Sequence, residues 1–184
     1  MTANTEIFEQ FEHQAIIDFL KSESKSRKDL KQIFDNGGYE CIDGNLYDEI
    51  EVYNKPITAV RFFEKDIDYE DFHKKHLTNF YVKSALPRTH YFLIKSIRLA
   101  SDKTQIVFPI LRNSTFVFII GSKSCYERPG YHCLKEKGDL IHHKMIVPGG
   151  QSIGGILYFS NPIQLNFRVP IRCELLGNLY RPVA

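Results

Sequence analysis

The chain has no tryptophan and only two methionines, and its four cysteines form no C-x-x-C pair. A zinc ribbon, a thioredoxin-like redox pair and a disulfide scaffold each depend on a characteristic cysteine spacing, which is absent here. We therefore expect four reduced, packed thiols, as is usual for free cysteine. They are Cys41, Cys125, Cys133 and Cys173.

Long apolar runs are also missing. The longest purely aliphatic or aromatic run is Phe116 to Ile120, whereas a membrane-spanning helix needs about 20 such residues. The first residues are acidic and polar, so we expect neither a signal peptide nor a transit peptide. With 184 residues and 43% apolar content, the chain can bury the core of one domain with a smaller appendage.

A dense basic arm for neutralising nucleic-acid phosphates is absent, because Glu23 and Asp29 interrupt the richest basic stretch, Lys21 to Lys31. We therefore expect no direct nucleic-acid motif. The formal charge of +2 conceals an asymmetry. Residues 1–100 carry 14 basic and 17 acidic side chains, and residues 101–184 carry 10 and 5. Opposite halves of neighbouring copies could attract one another.

Catalytic motifs are missing as well. The glycine-rich stretch Gly149 to Gly155 lacks the lysine and hydroxyl of a phosphate loop, and Ser152 lies outside any G-x-S-x-G elbow. We predict a turn there that permits close backbone approach. The acidic residues from Asp66 onward lack the glycine and the final acid of a calcium loop. We expect a protein that is not an enzyme and has no catalytic or cofactor-binding residues.

Histidine and cysteine side chains lie near one another in the second half of the chain, and together they are a legitimate zinc set. Their spacing matches no finger or ribbon, and adjacent histidines in a strand point to opposite faces. We therefore expect no metal site, although the sequence leaves open whether the histidines and Cys133 meet in space. The residues are Cys125, His132, Cys133, His142 and His143.

Two short helices are predicted in residues 1–38. Five apolar residues recur at helical spacing in the first segment and predict one amphipathic face. Ser26 with Asp29 resembles an N-cap of the second helix, and Gly37 with Gly38 should end it. The predicted apolar face consists of Phe8, Phe11, Ala15, Phe19 and Leu20.

Strands dominate the predicted domain at residues 39–184. They recur about every ten residues between Pro, Gly and Asn turns, which is typical of sandwiches and barrels. A turn is expected at Asp43-Gly44-Asn45, and Asp68 should cap an inserted helix near residues 68–81. Prolines should lie at strand ends or edges. The predicted strands are residues 39–42, 46–53, 57–63, 91–99, 105–111, 115–120, 131–135, 141–147, 153–159 and 163–180, the last broken at Pro170.

Gly138-Asp139, followed by Pro148-Gly149 and Asn161, resembles the second conserved stretch of the cupins, small barrels that hold a metal through histidines and a carboxylate. The histidine expected soon after Pro148-Gly149 is absent, and the first cupin stretch is not found upstream. The resemblance leaves an alternative function, a cupin-like barrel that binds a metal or small molecule, with enzymatic activity as one option. His132, His142 or His143 would then be the ligands.

A second resemblance covers roughly the last hundred residues. A strand ending at Pro109, the sequence Met145-Ile146-Val147-Pro148-Gly149-Gly150, and the closing stretch Cys173 to Pro182 resemble the small jelly-roll capsid proteins of icosahedral viruses, tailless bacteriophages in particular. It implies a jelly-roll-like antiparallel β-sandwich or barrel with N-terminal helices and one inserted helix. The implied function is structural, as a vertex, penton or minor capsid component.

The capsid resemblance also implies partners and a location. The partners would be further copies of the chain and other capsid proteins, and the protein would be made in the host cytoplasm and reside in the virion. Aromatic and arginine side chains dominate interface energetics, so we expect subunit contacts at Phe8, Phe11, Phe19, Tyr180 and Arg181. A third possibility is a host-directed or carbohydrate-binding sandwich module, which would need exposed tyrosines clustered on one sheet face.

Overall fold

A computed structural model describes residues 3–52, 56–63, 77–78, 85–134 and 136–183, with side chains described outside residues 3–10 and 77–78. The chain divides into two compact units. One comprises Met1–Cys41 with Arg181–Ala184, and the other comprises Ile42–Tyr180. None of the described helices is long and apolar enough to cross a membrane.

The described part of the chain is mainly β, with three α-helices and one 3₁₀ helix. The helices are α1 (Ala3–Ser24), α2 (Lys28–Asn36), α3 (Thr104–Arg112) and the 3₁₀ helix Gly130–Leu134. The strands are β1 (Tyr39–Val52), β2 (Ile57–Phe62), β3 (Leu77–Thr78), β4 (Tyr91–Ala100), β5 (Ser114–Ile120), β6 (Lys123–Pro129), β7 (Asp139–Pro148), β8 (Ile153–Ile163) and β9 (Val169–Pro182).

The strands form two sheets, of five strands in the order β3-β1-β9-β4-β7 and of four strands in the order β2-β8-β5-β6. With the two-residue β3 set aside, the pairing is nested. The first strand lies beside the last (β1 and β9), β2 pairs with β8, β4 with β7, and β5 with β6. Every pairing with a described register is antiparallel.

Both sheets contribute to one hydrophobic core. Phe92 and Ile97 come from the five-stranded sheet, and Phe116, Phe118 and Leu157 come from the four-stranded sheet. In β5, buried and partly buried residues alternate, because successive side chains of a strand point to opposite faces. The prediction of a mainly β, sandwich-like protein with antiparallel sheets is confirmed at this level.

The two predicted N-terminal helices are confirmed, and Gly37 and Gly38 end α2 as expected. Gly37 has φ +139°, and the Gly38 N–H donates to the Ile33 carbonyl at 2.9 Å. The predicted cap is wrong, because Arg27 occupies the N-cap position and makes no side-chain capping bond, and the Ser26 hydroxyl donates instead to the Glu23 carbonyl.

The apolar face of α1 is displaced from its predicted position. Ile16 and Leu20, four residues apart, are fully buried, and Phe19 is partly buried. Phe11 is 75% exposed, so its assignment to the buried face is wrong. The side chain of Phe8 lies outside those that the structure describes.

The turn predicted at Asp43-Gly44-Asn45 is wrong, because β1 runs unbroken through it. A Cβ on Gly44 would lie 2.6 Å from the Phe92 ring. Glycine at this point therefore serves close packing in a strand rather than chain reversal.

The strand predicted at residues 105–111 is wrong, because this segment is α3. Val107 and Leu111 are buried one helical turn apart, and Pro109 lies inside the helix rather than at a strand end. The segment forms a helix because its buried side chains recur every four residues, although its β-branched residues favour a strand.

The strand predicted at residues 131–135 is also wrong. Residues 130–134 form the 3₁₀ helix, and the strand lies earlier, at β6. Pro170 does not break the last strand but is the second residue of β9, while residues 164–168 separate β8 from β9. Most of the predicted insertion at 68–81 lies outside the described residues, and Leu77–Thr78 are strand rather than helix.

Candidate functional site

A polar cleft of about 470 Å³ lies on the five-stranded sheet and is built by β1, β9 and β4, which are neighbours in that sheet. Strand alternation explains its position. In β9, Ile171 and Cys173 belong to the core, so Arg172 and Glu174 project from the opposite face. The polar residues of the cleft are Glu49, Arg98, Ser101, Asp102, Arg172 and Glu174.

Two arginine–carboxylate pairs cross the strands. Arg172 donates from Nη2 at 2.8 Å and from Nε at 2.9 Å to Oε2 of Glu49. Arg98, directly opposite Glu174 in the β4–β9 register, donates from Nε at 2.5 Å to Oε2 of Glu174 and also pairs through Nη2. Such charge-assisted bonds hold both guanidinium planes in fixed orientations.

Further contacts restrict the two arginines. The Arg172 guanidinium lies 4.9 Å from the ring centroid of Tyr47, a cation–π contact. Arg98 also donates from Nη1 to the Glu136 carbonyl at 3.0 Å. The polar groups of the cleft are therefore positioned before any ligand arrives.

One charged pair in the cleft does not make a direct hydrogen bond. Nη1 of Arg172 lies 3.8 Å from Oε1 of Glu174, beyond hydrogen-bond distance. The Glu174 side chain is only 5% exposed. At the rim, the Ser101 hydroxyl oxygen accepts from the Lys103 N–H at 3.2 Å, which leaves its proton able to donate, and Asp102 is exposed.

A second polar cluster is buried away from the cleft. The Tyr126 hydroxyl donates at 2.7 Å to Oδ2 of Asp139 and lies 3.3 Å from Sγ of Cys133. Burial, followed by the contact with Cys133, raises the pKa of Tyr126. Burial likewise raises the pKa of the Cys173 thiol well above its ordinary value. The raised pKa values keep both Tyr126 and Cys173 in their neutral forms, so these two side chains are suited to a structural role.

The predicted zinc candidates do not form a metal site in the part of the chain that is described. His132 stacks on Tyr131 with ring centroids 4.5 Å apart, and Cys133 is buried. His142 and His143 are exposed on β7, where residues 141–144 stand opposite the single residue Lys95. No group of three or more metal-ligating side chains occurs among the described residues.

The residues predicted at a subunit interface differ in their surroundings. Phe11 is exposed and Phe19 is partly buried. Tyr180 is only 2% exposed. Arg181 is half exposed and donates from Nε at 2.5 Å to Oε1 of Glu40.

The glycine-rich loop has the structure that its composition predicts. A Cβ on Gly149 would overlap the Pro87 carbonyl oxygen, and the Gly150 N–H donates to the Leu86 carbonyl at 2.9 Å. Gly150 also has φ +82°, a conformation that favours glycine. This loop joins β7 to β8 by close backbone packing.

Comparison with known proteins adds no identity: no protein-family model matches the chain, and no curated protein matches it.

The cleft was not predicted, because its residues come from three strands that are distant in sequence. The alternation of Arg172 and Glu174 with apolar residues could have assigned them to the outer face of the sheet, although not to their partners. Function is therefore inferred from the fold and from the contacts described above.

Proposed function

We propose that the protein is a non-enzymatic structural component of a viral capsid, a vertex, penton or minor component built on a jelly-roll sandwich. The observation that carries this proposal is the nested strand pairing. Apart from β3, the eight strands pair first with last, second with seventh, third with sixth and fourth with fifth. A long hairpin rolled into two sheets would give this order, and this supports the proposal of a jelly roll, a fold of eight strands in two sheets.

The outer face of the four-stranded sheet supports a role in assembly. In β8, Leu157 belongs to the core, so Ile156 and Tyr158 project from the other face. Ile156 is only 5% exposed and lies between Arg61 of β2 and Val117 of β5, whereas Tyr158 is 45% exposed. An exposed aromatic side chain on a sheet face fits burial against a neighbouring subunit, because aromatic residues are enriched in protein interfaces.

The charged side chains are distributed unevenly along the sequence. Residues 1–100 carry an excess of acidic side chains and residues 101–184 an excess of basic ones. Strands of the two halves interleave, since β9 lies between β1 and β4, so attraction between copies would act through individual charged side chains. The partners proposed are further copies of this chain and other capsid proteins, and the proposed location is the virion.

Light scattering during size-exclusion chromatography, combined with electron microscopy of the same fractions, tests the proposal. We expect closed oligomers or shells whose abundance rises with protein concentration. Strictly monomeric protein at high concentration, with no co-purifying partner, contradicts it. A stoichiometric transition metal in purified protein would instead favour the cupin-like alternative.

A pair of variants makes the test specific to the outer face of the four-stranded sheet. Tyr158→Glu places a charge on the outer face of β8 and should shift the oligomer toward monomer by about tenfold or more in concentration. Tyr131→Glu is the matched control, since Tyr131 is similarly exposed but lies on the 3₁₀ helix. Circular dichroism establishes that both variants fold. If the two substitutions had equal effects, the outer face of β8 would not be the surface through which the protein assembles.

A further inference from the structure

The gap between Arg172 and Glu174 selects one kind of chemical group. An oxygen within hydrogen-bond distance of both Nη1 of Arg172 and Oε1 of Glu174, which are 3.8 Å apart, must accept from the guanidinium and donate to the carboxylate. Water and alcohol hydroxyls do both. An ammonium cannot accept and an ionised carboxylate cannot donate, so neither satisfies both sides of the gap. Phosphate keeps an O–H near neutral pH, but the three carboxylates among the lining residues disfavour it through charge repulsion.

Both sides of the gap are held in place by contacts already described. Glu49 and Tyr47 fix the Arg172 guanidinium, and Arg98 fixes the opposite oxygen of Glu174. Preorganised donors and acceptors lose little conformational freedom when a ligand binds. The entropic cost of ordering them therefore reduces the affinity only slightly. A hydroxyl can therefore displace water here without rearrangement of the protein.

The rest of the cleft offers sites for a second hydroxyl. The Ser101 hydroxyl can donate, and the exposed Asp102 carboxylate can accept. The polar lining comprises two guanidinium groups and three carboxylates, which disfavours an anionic ligand. The volume of about 470 Å³ lies within the ordinary range for small-molecule pockets.

We propose that this cleft binds a neutral saccharide. One sugar hydroxyl bridges Nη1 of Arg172 and Oε1 of Glu174, and a neighbouring hydroxyl donates to the exposed Asp102 carboxylate. The chemical class is a polyhydroxylated, uncharged ring. The site is independent of the capsid proposal, because saccharide binding requires only the three strands that form the cleft.

Titration of ¹⁵N-labelled protein with the methyl glycosides of glucose, galactose, mannose and N-acetylglucosamine, followed by amide chemical shifts, tests this. At least one glycoside should perturb amides of β1, β4 and β9 around the cleft, with a dissociation constant on the order of 1 mM, as small polar ligands allow. Arg172→Lys keeps the charge but loses the planar fork, and should weaken that binding by about tenfold or more.

Arg168→Lys is the matched control, because Arg168 pairs with Glu51 at 3.6 Å and does not line the cleft. It should leave glycoside binding unchanged.

Asp102→Ala removes an exposed rim group and should weaken binding by about threefold without disturbing the fold, which preserves the test if Arg172→Lys fails to fold. Absence of shifts with all four glycosides up to about 50 mM, or equal binding by the Asp102→Ala variant and wild type, overturns the proposal. Binding of ethylammonium or inorganic phosphate at the same amides in place of the glycosides overturns it as well.

Discussion

The hydroxyl of Tyr126 donates a 2.7 Å hydrogen bond to Oδ2 of Asp139. Tyr126 lies in β6, the edge strand of the four-stranded sheet, and Asp139 begins β7, the edge strand of the five-stranded sheet. One bond therefore links the edges of both sheets across the 3₁₀ helix that separates them in sequence. Edge strands have a ladder partner on one side only, so a side-chain link matters more for them than for central strands.

Removal of this link should destabilise the fold. Tyr126→Phe keeps the ring that packs against Phe116 but leaves Asp139 without its phenolic donor. We expect the free energy of unfolding in urea to fall by about 1–3 kcal/mol. Tyr158→Phe is the control, since Tyr158 is exposed, and it should change stability by less than about 0.5 kcal/mol. Equal losses in the two variants would contradict a specific role for the link.

Alkaline pH should destabilise the protein partly through the same tyrosine. The pKa of Tyr126 is raised in the folded state, so the folded state keeps a proton that the unfolded state releases above about pH 10. Its contribution to stability is complete below that pH and is lost as the pH rises further, by up to about 1.4 kcal/mol per pH unit. Unfolding measured from pH 9 to about 11 should show a shallower decline for Tyr126→Phe than for wild type. Parallel declines would show that other groups carry the effect.

Gly177 in β9 should not tolerate a side chain. A Cβ at this position would overlap the Leu93 carbonyl oxygen, beside the irregularity in β4 between Ile94 and Ser96. We expect Gly177→Ala to lower the free energy of unfolding by about 2–3 kcal/mol, in the range of overpacked cores. Gly154 in β8 is the matched strand glycine, because a Cβ there meets nothing within 4 Å. Gly154→Ala should be neutral or slightly stabilising, and thermal melts of both variants measure the difference.

Asp48 should be needed for the end of β2. Its side chain is buried, and Oδ2 accepts at 2.5 Å from the N–H of Phe63, which has the unfavourable φ of +62°. Asp48→Ala should cost about 2–3 kcal/mol, because a buried donor loses its acceptor. Asp48→Asn retains an acceptor oxygen and should cost less. Urea unfolding compares the two, and a larger loss for asparagine than for alanine would contradict this account.

Sequence pattern predicted the elements whose side chains alternate strongly. β5 is an example, because Phe116, Phe118 and Ile120 mark one face. The charged edge strand β6 was missed because Tyr126 is its one buried residue. The two-residue connection Gly121-Ser122, with φ +62° at the glycine, is a hairpin signal that could have located it.

The remaining errors arose where tertiary packing decides between local alternatives. Gly44 suits a turn by its composition, and only the position of the Phe92 ring explains why it lies in a strand. The cleft depends on register in the same way, because Arg98 meets Glu174 only after β9 has aligned with β4. Such contacts between distant segments carry no local signal in the sequence.

The central strand of the five-stranded sheet, β9, is synthesised after the other described strands of the chain. Until β9 has been synthesised, β1 and β4 have no strand between them, and the local β5–β6 hairpin is the pairing available early. Contacts between distant segments form slowly, and exposed strand edges favour aggregation. Premature termination anywhere before Val169 would therefore leave a product with an incomplete sheet, which is a natural substrate for chaperones and proteases.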